Sequence, residues 1–252
     1  MKKILITGAS GGIGLETAKR LVAKGYQLTL VARNEHKLSE IIQNFEGNGH
    51  SYIVADLANP KGVEKISSFL KEVKHDILIN NAGVGLYGKF IDIPLETQLE
   101  MLYLNINAVM VLSHSFLKTA KKGDALINIG SLLGHTSFPG ASAYAGSKSF
   151  VANFSESLWY EYKDQGVFIS GFNPGAAKSD FHNNAGKPTN SYPEFVLSTV
   201  EQVAEELVST LEKRSQPRVT QGWKNRMMIF GFKFLSRKMA IKIMGQLSPG
   251  MR

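Results

Sequence analysis

A tyrosine and a lysine lie four residues apart in the segment Tyr144-Ala145-Gly146-Ser147-Lys148. On a helix, residues four apart share one face, so the lysine ammonium would lie beside the tyrosine phenol. A free tyrosine has a pKa of about 10 and is a poor base near neutrality, but a neighbouring ammonium favours the phenolate and lowers that pKa. Such a tyrosine can donate a proton to a carbonyl or remove one from an alcohol. The pair alone is not specific, because this spacing arises by chance in many helices.

Two further polar residues could complete a site around this pair. Ser131 follows a predicted strand in Asn128-Ile129-Gly130-Ser131, and its hydroxyl could hold a substrate oxygen. Asn105 lies among apolar neighbours in a predicted helix, where a polar side chain needs a hydrogen-bond partner. It could hold a water that relays protons to Lys148, or it could be an ordinary surface asparagine.

A glycine-rich turn, Thr7-Gly8-Ala9-Ser10-Gly11-Gly12-Ile13-Gly14, follows the first predicted strand and opens a helix. In a dinucleotide-binding turn, Gly8 permits the tight exit from the strand, Gly12 lets the backbone approach a phosphate, and Gly14 lets the helix pack closely. The helix N-terminus offers unpaired N–H groups and a positive dipole to the pyrophosphate. We therefore assign these glycines, with Ser10 and Ile13, to a dinucleotide site, although such a string can also be a plain tight turn.

The same turn matches a second pattern. Gly8-Ala9-Ser10-Gly11-Gly12 fits the G-x-S-x-G elbow of hydrolases, in which Ser10 would be a nucleophile. That interpretation puts the serine on the first strand, which is unusual for hydrolases, and it leaves Gly14 and the Tyr144–Lys148 pair unexplained.

The end of the second predicted strand, Val31-Ala32-Arg33-Asn34, bears on cofactor choice. An NAD-selective enzyme usually carries an acidic residue here, bonded to the ribose 2′-hydroxyl. Arg33 could instead bind a 2′-phosphate through charge-assisted hydrogen bonds. The sequence thus predicts NADP(H), with NAD(H) as the alternative, unless Arg33 is simply a solvated arginine.

Other candidate cofactor contacts follow further strands. Asp56 could accept a hydrogen bond from an adenine amino group, or it could cap a loop or helix. In Asn80-Asn81-Ala82-Gly83, small residues would let the backbone lie beside the adenosine ribose, and the asparagines can tie strands together. Pro174-Gly175 would shape the wall near the nicotinamide, whose ribose Lys148 can also hydrogen-bond.

Taken together, these motifs resemble the short-chain dehydrogenase/reductase family. The similarity runs from TGASGGIG through NNAG, Asn105, Ser131 and YAGSK to NPGAAKSD, about residues 2–220, in the right order and spacing. It implies a single Rossmann-like domain, a catalytic tetrad of Ser131, Tyr144, Lys148 and Asn105, and a homodimer or homotetramer built on the two long helices around Asn105 and Tyr144.

The chain departs from the family pattern at two positions. Ser179 falls where the family often has a threonine bonded to the carboxamide, and it keeps the hydroxyl. Gly130 replaces a commoner serine before the catalytic one, a change that we expect to be harmless.

Apolar β-rich runs alternate with longer amphipathic runs, which predicts a doubly wound parallel sheet in a three-layer α/β/α fold. Ligands of such sheets bind beyond the carboxyl ends of the strands, where the motifs above fall. We expect strands at residues 3–7, 27–32, 51–55, 76–80, 125–129, 167–172 and 218–220, and helices at 12–24, 35–45, 60–73, 95–120, 143–164 and 198–213.

Composition excludes several classes of protein. The 252 residues fit one α/β domain, assigned to residues 1–221. The absence of cysteine excludes disulfides, thiolate catalysis and cysteine metal sites, and it is compatible with a reducing cytoplasm. We expect no signal peptide before the first strand and no apolar stretch near the ~20 residues that a membrane span needs. The histidines show no metal-ligand spacing, so we expect no metal site; they are His36, His50, His75, His114, His135 and His182.

The net charge of +8 belongs to the C-terminal end of the chain. Residues 213–252 contain ten Lys/Arg and no Asp/Glu, and the first 212 residues carry a net charge of −2. Residues 222–252 are predicted to form a basic, amphipathic helical extension that Gly231 interrupts. Without a recognisable binding module this charge does not indicate nucleic acid. The segment either packs on the domain or a partner subunit, or contacts an anionic membrane peripherally. Apolar residues recur at helical spacing at Met228, Phe232, Leu235, Met239 and Ile243.

The reaction class is clearer than the substrate. The sequence predicts hydride transfer between a nicotinamide and a carbonyl/alcohol pair. The runner-up is a non-catalytic NADP-sensing or scaffold protein, which would need neither Tyr144 nor Lys148. The loop between Ser179 and Tyr192 is expected to cover the pocket, and His135 could touch the substrate. An apolar ketone, aldehyde or β-ketoacyl compound is favoured by Leu133, Phe138, Phe181 and Tyr192.

Overall fold

The computed structural model describes residues 1–179, 181, 185, 194 and 197–251. Within them, seven strands form one sheet in the order β3-β2-β1-β4-β5-β6-β7, and every neighbouring pair is parallel. The predicted doubly wound sheet is therefore confirmed. The strands are β1 (Lys3–Thr7), β2 (Gln27–Ala32), β3 (Ser51–Val54), β4 (Ile77–Asn80), β5 (Ala125–Ile129), β6 (Phe168–Asn173) and β7 (Arg218–Thr220).

Helices cover both faces of the sheet. Several begin where the sequence supplies a cap: Asn34 accepts a hydrogen bond from the Lys37 N–H at 2.9 Å, and Thr199 forms a capping box with Gln202. The helices are α1 (Gly12–Ala23), α2 (Glu35–Gln43), α3 (Pro60–Glu72), α4 (Leu95–Leu102), α5 (Val109–Leu117), α6 (Ser142–Tyr162), α7 (Val200–Lys213), α8 (Trp223–Phe232) and α9 (Arg237–Leu247).

Alternation along the buried strands divides the core into two layers. Ile4 and Ile6 of β1 pack on one face with residues of α1 and α7, whereas Leu5 packs on the other face with residues of α3 and α5. Because both faces are covered, the strands are nearly continuous apolar runs. This packing fixes the carboxyl ends of the strands, where the candidate residues lie.

The prediction of one continuous helix at 95–120 is wrong, because the helical hydrogen-bond pattern changes in its middle. A π-helical segment, Tyr103–Ala108, joins α4 to α5. The physical reason is Asn105, whose buried amide bonds to the backbone of Val84 on the segment after β4. Such one-turn π segments often occur at functional sites.

The C-terminal extension also differs from its prediction. Gly231 lies inside α8, and the chain leaves the helix only after Phe232, so the predicted apolar stripe is divided between α8 and α9. Both helices pack against the domain, and Ala240 and Met244 of α9 are buried. None of the helices in the described part of the chain is long and apolar enough to cross a membrane.

Candidate active site

Lys148 and Tyr144 lie together on the buried face of α6. Lys148 is 4% exposed, its Nζ lies 5.9 Å from the centroid of the Tyr144 ring, and it donates a hydrogen bond to the Ile129 carbonyl at 3.0 Å. Burial lowers the pKa of Lys148 from 10.5 to about 8. A buried ammonium beside a phenol favours the phenolate, so the geometry suits Tyr144 to proton transfer.

The turn that begins α6 is held by the end of the chain. Gly140 has a φ of +77°, in the left-handed region that favours glycine. A Cβ on Gly140 would lie 2.7 Å from the Gly250 carbonyl carbon, so the two backbones are in close contact. The C-terminal residues therefore support the turn that positions Tyr144.

Ser131 follows β5 and is nearly buried. Its Oγ accepts a hydrogen bond from the Leu133 N–H at 3.2 Å, and its own N–H donates to Asn173 Oδ1 at 3.2 Å. A Cβ at Gly130 would overlap that same Asn173 oxygen. A larger residue at position 130 would therefore have to displace the Asn173 side chain, and the expectation that glycine is harmless here stays a prediction.

Asn105 connects the segment after β4 to α6. Its Oδ1 accepts from the Val84 N–H at 3.1 Å, and its Nδ2 donates to the Val84 carbonyl at 2.9 Å and to Ser147 Oγ at 3.2 Å. These bonds give the amide a positioning role, and the expected water relay to Lys148 stays a prediction. Gly83 lies between the two polar groups, because a Cβ there would be 3.1 Å from Asn105 Oδ1 and 3.2 Å from Lys148 Nζ.

The glycine turn and the asparagines after β4 form one unit. Asn81 Nδ2 donates to the carbonyls of Thr7 and Gly8, and Thr7 Oγ1 accepts from the N–H groups of Asn81 and Ala82. A Cβ on Gly8 would lie 2.8 Å from Ala82 Cα, and one on Gly14 would overlap the Gly8 carbonyl. Asn80 in turn donates to Asn128 of β5 at 2.9 Å, so the asparagines do tie neighbouring strands.

The N-terminus of α1 follows the glycine turn at the carboxyl end of β1. Gly11, at the N-cap, provides no side-chain hydrogen bond to the helix N–H groups. A Cβ on Gly12 would lie 3.9 Å from the Ser179 Cβ, so Ser179 faces the turn. Ser10 is half-buried and Ile13 packs on the core. Among the described residues, Ser10 makes no hydrogen bond to a histidine or carboxylate, which leaves the hydrolase interpretation without a general base.

The other predicted cofactor residues lie at the same edge of the sheet. Arg33 is exposed after β2, and Asp56 Oδ1 accepts from the Ala58 N–H at 3.0 Å, as a loop cap does. The Pro174 carbonyl accepts from the Leu132 N–H at 2.8 Å. A Cβ on Gly175 would overlap Asn225 Nδ2, so α8 packs directly on this turn.

An aromatic cluster surrounds Tyr144. The ring centroids of Tyr87 and Phe181 lie 6.2 Å and 6.0 Å from that of Tyr144. The predicted apolar residues Leu133, Phe138 and Phe181 belong to this cluster; Tyr192 and His182 lie outside the described residues. Sequence reasoning missed Tyr87, Met101 and Met244, because no local pattern connects them to residue 144.

His135 does not belong to the aromatic cluster around Tyr144. Its Nε2 hydrogen-bonds Thr220 Oγ1 at 3.0 Å, and burial together with the Arg218 charge lowers its pKa to about 4. It lines a groove of about 570 Å³ with Ser149 and Asn153, on the face of α6 that points away from Tyr144. His75 is a core histidine bonded to Thr29. In the described ranges no three His, Asp or Glu side chains form a candidate metal site.

Comparisons with known proteins agree with this geometry. A family model for short chain dehydrogenase matches residues 2–190. An NADP-dependent 3-hydroxy acid dehydrogenase of Schizosaccharomyces pombe is 34% identical over 231 residues, which are 84% of this chain and 88% of that protein. A 3-oxoacyl-[acyl-carrier-protein] reductase of Buchnera aphidicola is 31% identical over 70% of this chain and 73% of that protein.

The solved structures give the same result. A short-chain dehydrogenase from Sphingobium yanoikuyae in complex with NADPH superimposes with a TM-score of 0.84 and 26% identity, over 96% of both chains. The protein described here therefore belongs to the short-chain dehydrogenase family, whose members are oxidoreductases acting on hydroxyl and carbonyl groups.

Proposed function

We propose that this chain transfers a hydride between NADP(H) and the carbonyl/alcohol pair of an apolar ketone, aldehyde or β-ketoacyl compound. The observation that carries the proposal is the buried Lys148 ammonium beside the Tyr144 phenol at the carboxyl ends of the strands. NADPH, when bound, supplies the hydride.

Each residue of the tetrad has a separate task in this proposal. During reduction, Tyr144 donates its phenolic proton to the carbonyl oxygen, and the Lys148 charge stabilises the resulting phenolate. The Ser131 hydroxyl, whose oxygen accepts from the Leu133 N–H, donates its own O–H to the same oxygen. Asn105 keeps α6 and the segment after β4 in register, through Ser147 and Val84.

The residues present fit a dinucleotide phosphate. The N–H groups at the start of α1 lack a side-chain cap and would bind the pyrophosphate. The exposed Arg33 after β2 would pair with the 2′-phosphate, at the position where an acidic residue would repel it. The names of the S. pombe relative and the S. yanoikuyae complex support NADP(H) over NAD(H).

An apolar substrate is proposed because the cluster around Tyr144 is aromatic and aliphatic.

We also propose a cytoplasmic homodimer or homotetramer built on α4, α5 and α6. Its support is the exposure of large apolar side chains on the first two helices, at Leu95, Leu99 and Met110. Peripheral membrane contact through the C-terminal segment belongs to the same proposal.

The test is NADPH oxidation with a panel of aldehydes, ketones and β-ketoacyl thioesters, repeated with NADH. Tyr144→Phe should lower kcat by at least about a hundredfold, because it removes the acid/base group, and should leave NADPH binding intact. Tyr160→Phe, on the exposed face of the same helix, is the matched control and should retain full activity.

Two outcomes would count against the proposal. Full turnover by Tyr144→Phe would exclude Tyr144 as the acid. Tight NADPH binding without turnover across the panel would favour the sensor protein. A preference for NADH would contradict only the role of Arg33 and would leave the proposed reaction class in place.

A further inference from the structure

Among the residues that the structure describes, one face of helix α8 packs on the domain and the opposite face is exposed. Its inner face places Asn225 against Gly175 and Phe232 against the aromatic cluster around Tyr144. The outer face carries an exposed stripe spaced by four, three and four residues, which continues two residues beyond the helix end. Its members are Trp223, Met227, Phe230 and Phe234, which are 60–75% exposed. Four large apolar side chains on one open face mark an interaction surface.

The charged residues that flank the exposed stripe along the chain are all basic, although Arg226 on the same helix pairs with Glu206 of α7. Lys224 and Lys233 flank it, and the exposed Arg237, Lys238 and Lys242 follow on α9. Residues 213–252 contain ten basic and no acidic residues. Aromatic side chains flanked by long cationic ones are typical of segments that lie in a lipid headgroup region, where the ammonium groups reach the phosphates.

We propose that the exposed stripe inserts into an anionic lipid surface and that the active site takes its apolar carbonyl substrate from that surface. A second copy of the chain fits this face poorly. A two-fold interface brings the same patch of both copies together, and here it would bring cations against cations.

The delivery of substrate from lipid rests on the proposed function and on the short distance between the two faces of α8. About 10 Å, one helix diameter, separates the lipid-facing side of α8 from the side that contacts Gly175 and the Tyr144 cluster. A molecule leaving the bilayer beside α8 would have to pass only about one helix diameter of protein to reach the aromatic cluster.

Vesicle binding tests the first part. Wild type should sediment with vesicles containing phosphatidylglycerol and bind pure phosphatidylcholine weakly, and brominated lipid should quench Trp223 fluorescence. The double variants Phe230→Ser/Phe234→Ser and Lys224→Glu/Lys233→Glu should each bind at least about tenfold more weakly, because one loses buried apolar area and the other loses charge.

Matched controls separate the exposed stripe from general surface effects. Tyr160→Ser removes another aromatic residue that is 64% exposed, and Lys61→Glu reverses an exposed charge on α3; both should bind like wild type. Circular dichroism should show that every variant is folded. Equal binding by the stripe variant and wild type, or no binding by wild type, would overturn the proposal. So would a stripe variant that changes only the oligomeric state in light scattering, which would identify a subunit interface.

The second part compares a long-chain aldehyde carried in vesicles with a short water-soluble aldehyde. The stripe variant should lose turnover of the vesicle-borne aldehyde by the same factor as it loses vesicle binding, and should keep turnover of the soluble one. Equal turnover of the vesicle-borne aldehyde would contradict delivery from lipid. If wild type reduced neither aldehyde but still bound vesicles, the reductase function would fail while the lipid surface stood.

Discussion

Lys148 is buried, and keeping its ammonium charged inside the fold lowers the stability of the folded state. Its pKa is lowered from 10.5 to about 8 because the ammonium has left water. A lowered lysine pKa means that, between those two values, the unfolded chain binds more protons than the folded chain. Stability from this group is therefore low below pH 8 and rises as the pH increases toward 10.5.

The first prediction follows from that sign. Relative to Lys148→Met, which does not titrate, wild type should gain about 3 kcal/mol in the free energy of unfolding between pH 7 and 10.5. Denaturant unfolding at a series of pH values measures the difference, with Tyr144→Phe added to both proteins because the neighbouring phenol titrates in the same range; the remaining titrating groups then cancel. Parallel pH profiles would show that Lys148 has an ordinary pKa. The single variant Lys148→Met should also lose turnover, because Tyr144 loses its cationic neighbour.

Gly130 illustrates what the sequence pattern does not contain. Glycine stands there in place of the family's commoner serine, and a Cβ at this position would overlap Asn173 Oδ1 as that side chain is placed. The contact arises because β5 and β6 pair with Ile129 opposite Phe172, which brings the next residues of both strands together. No local spacing reveals this pairing, so it could not be predicted from residues 128–131 alone.

The second prediction is a double-mutant cycle at this contact. Gly130→Ala should lower the free energy of unfolding by roughly 1–3 kcal/mol through overpacking. Combined with Asn173→Ala, the loss should be less than the sum of the two single effects, because the overlap is gone. Gly146→Ala, with no atom within 4 Å of the added Cβ, should instead be neutral or stabilising. If the two losses in the free energy of unfolding were additive, positions 130 and 173 would not be in contact.

At the scale of elements, the sequence predicted the strands well and one helix incompletely. All seven strands were found, with ends within about a residue or two, because buried parallel strands are continuous apolar runs bounded by polar residues. The helix predicted at 95–120 hides the π segment Tyr103–Ala108. A one-residue insertion barely alters apolar periodicity, and it is stabilised by Val84, which is distant in sequence.

The third prediction concerns that π segment. Asn105→Ala would leave the Val84 N–H and carbonyl without their side-chain partners, at a cost of roughly 1–3 kcal/mol in stability for each group that stays buried. Hydrogen exchange should become faster at the Val84 amide. The Ala82 amide, which bonds to Thr7 Oγ1 at 2.9 Å, is the internal control and should exchange as before. Unchanged exchange at Val84 would mean that Asn105 does not hold this segment.

At the scale of the whole molecule, the sequence separated residues 222–252 from the rest because their charge differs. The structure joins them to the domain: Arg226 pairs with Glu206 at 2.7 Å, and Met244 packs in the cluster that contains Tyr144. Composition records charge and hydropathy but not which distant surfaces meet. Family motifs carry the proposed tetrad and the glycine turn, whereas the C-terminal residues that pack beside Tyr144 belong to no motif.

The final prediction tests whether these C-terminal residues belong to the site. Met244 is 4% exposed and contacts the aromatic cluster, whereas Met239, on the same helix, is 51% exposed. Met244→Ala should lower the free energy of unfolding by about 2–3 kcal/mol through the cavity it leaves. It should also raise KM for an apolar ketone and leave the Kd for NADPH nearly unchanged, because the proposed pyrophosphate and 2′-phosphate contacts lie at α1 and Arg33, away from Met244. Met239→Ala should change neither the free energy of unfolding nor KM. If both variants behaved alike, α9 would be an appendage of the fold, and the substrate wall would have to come from other residues.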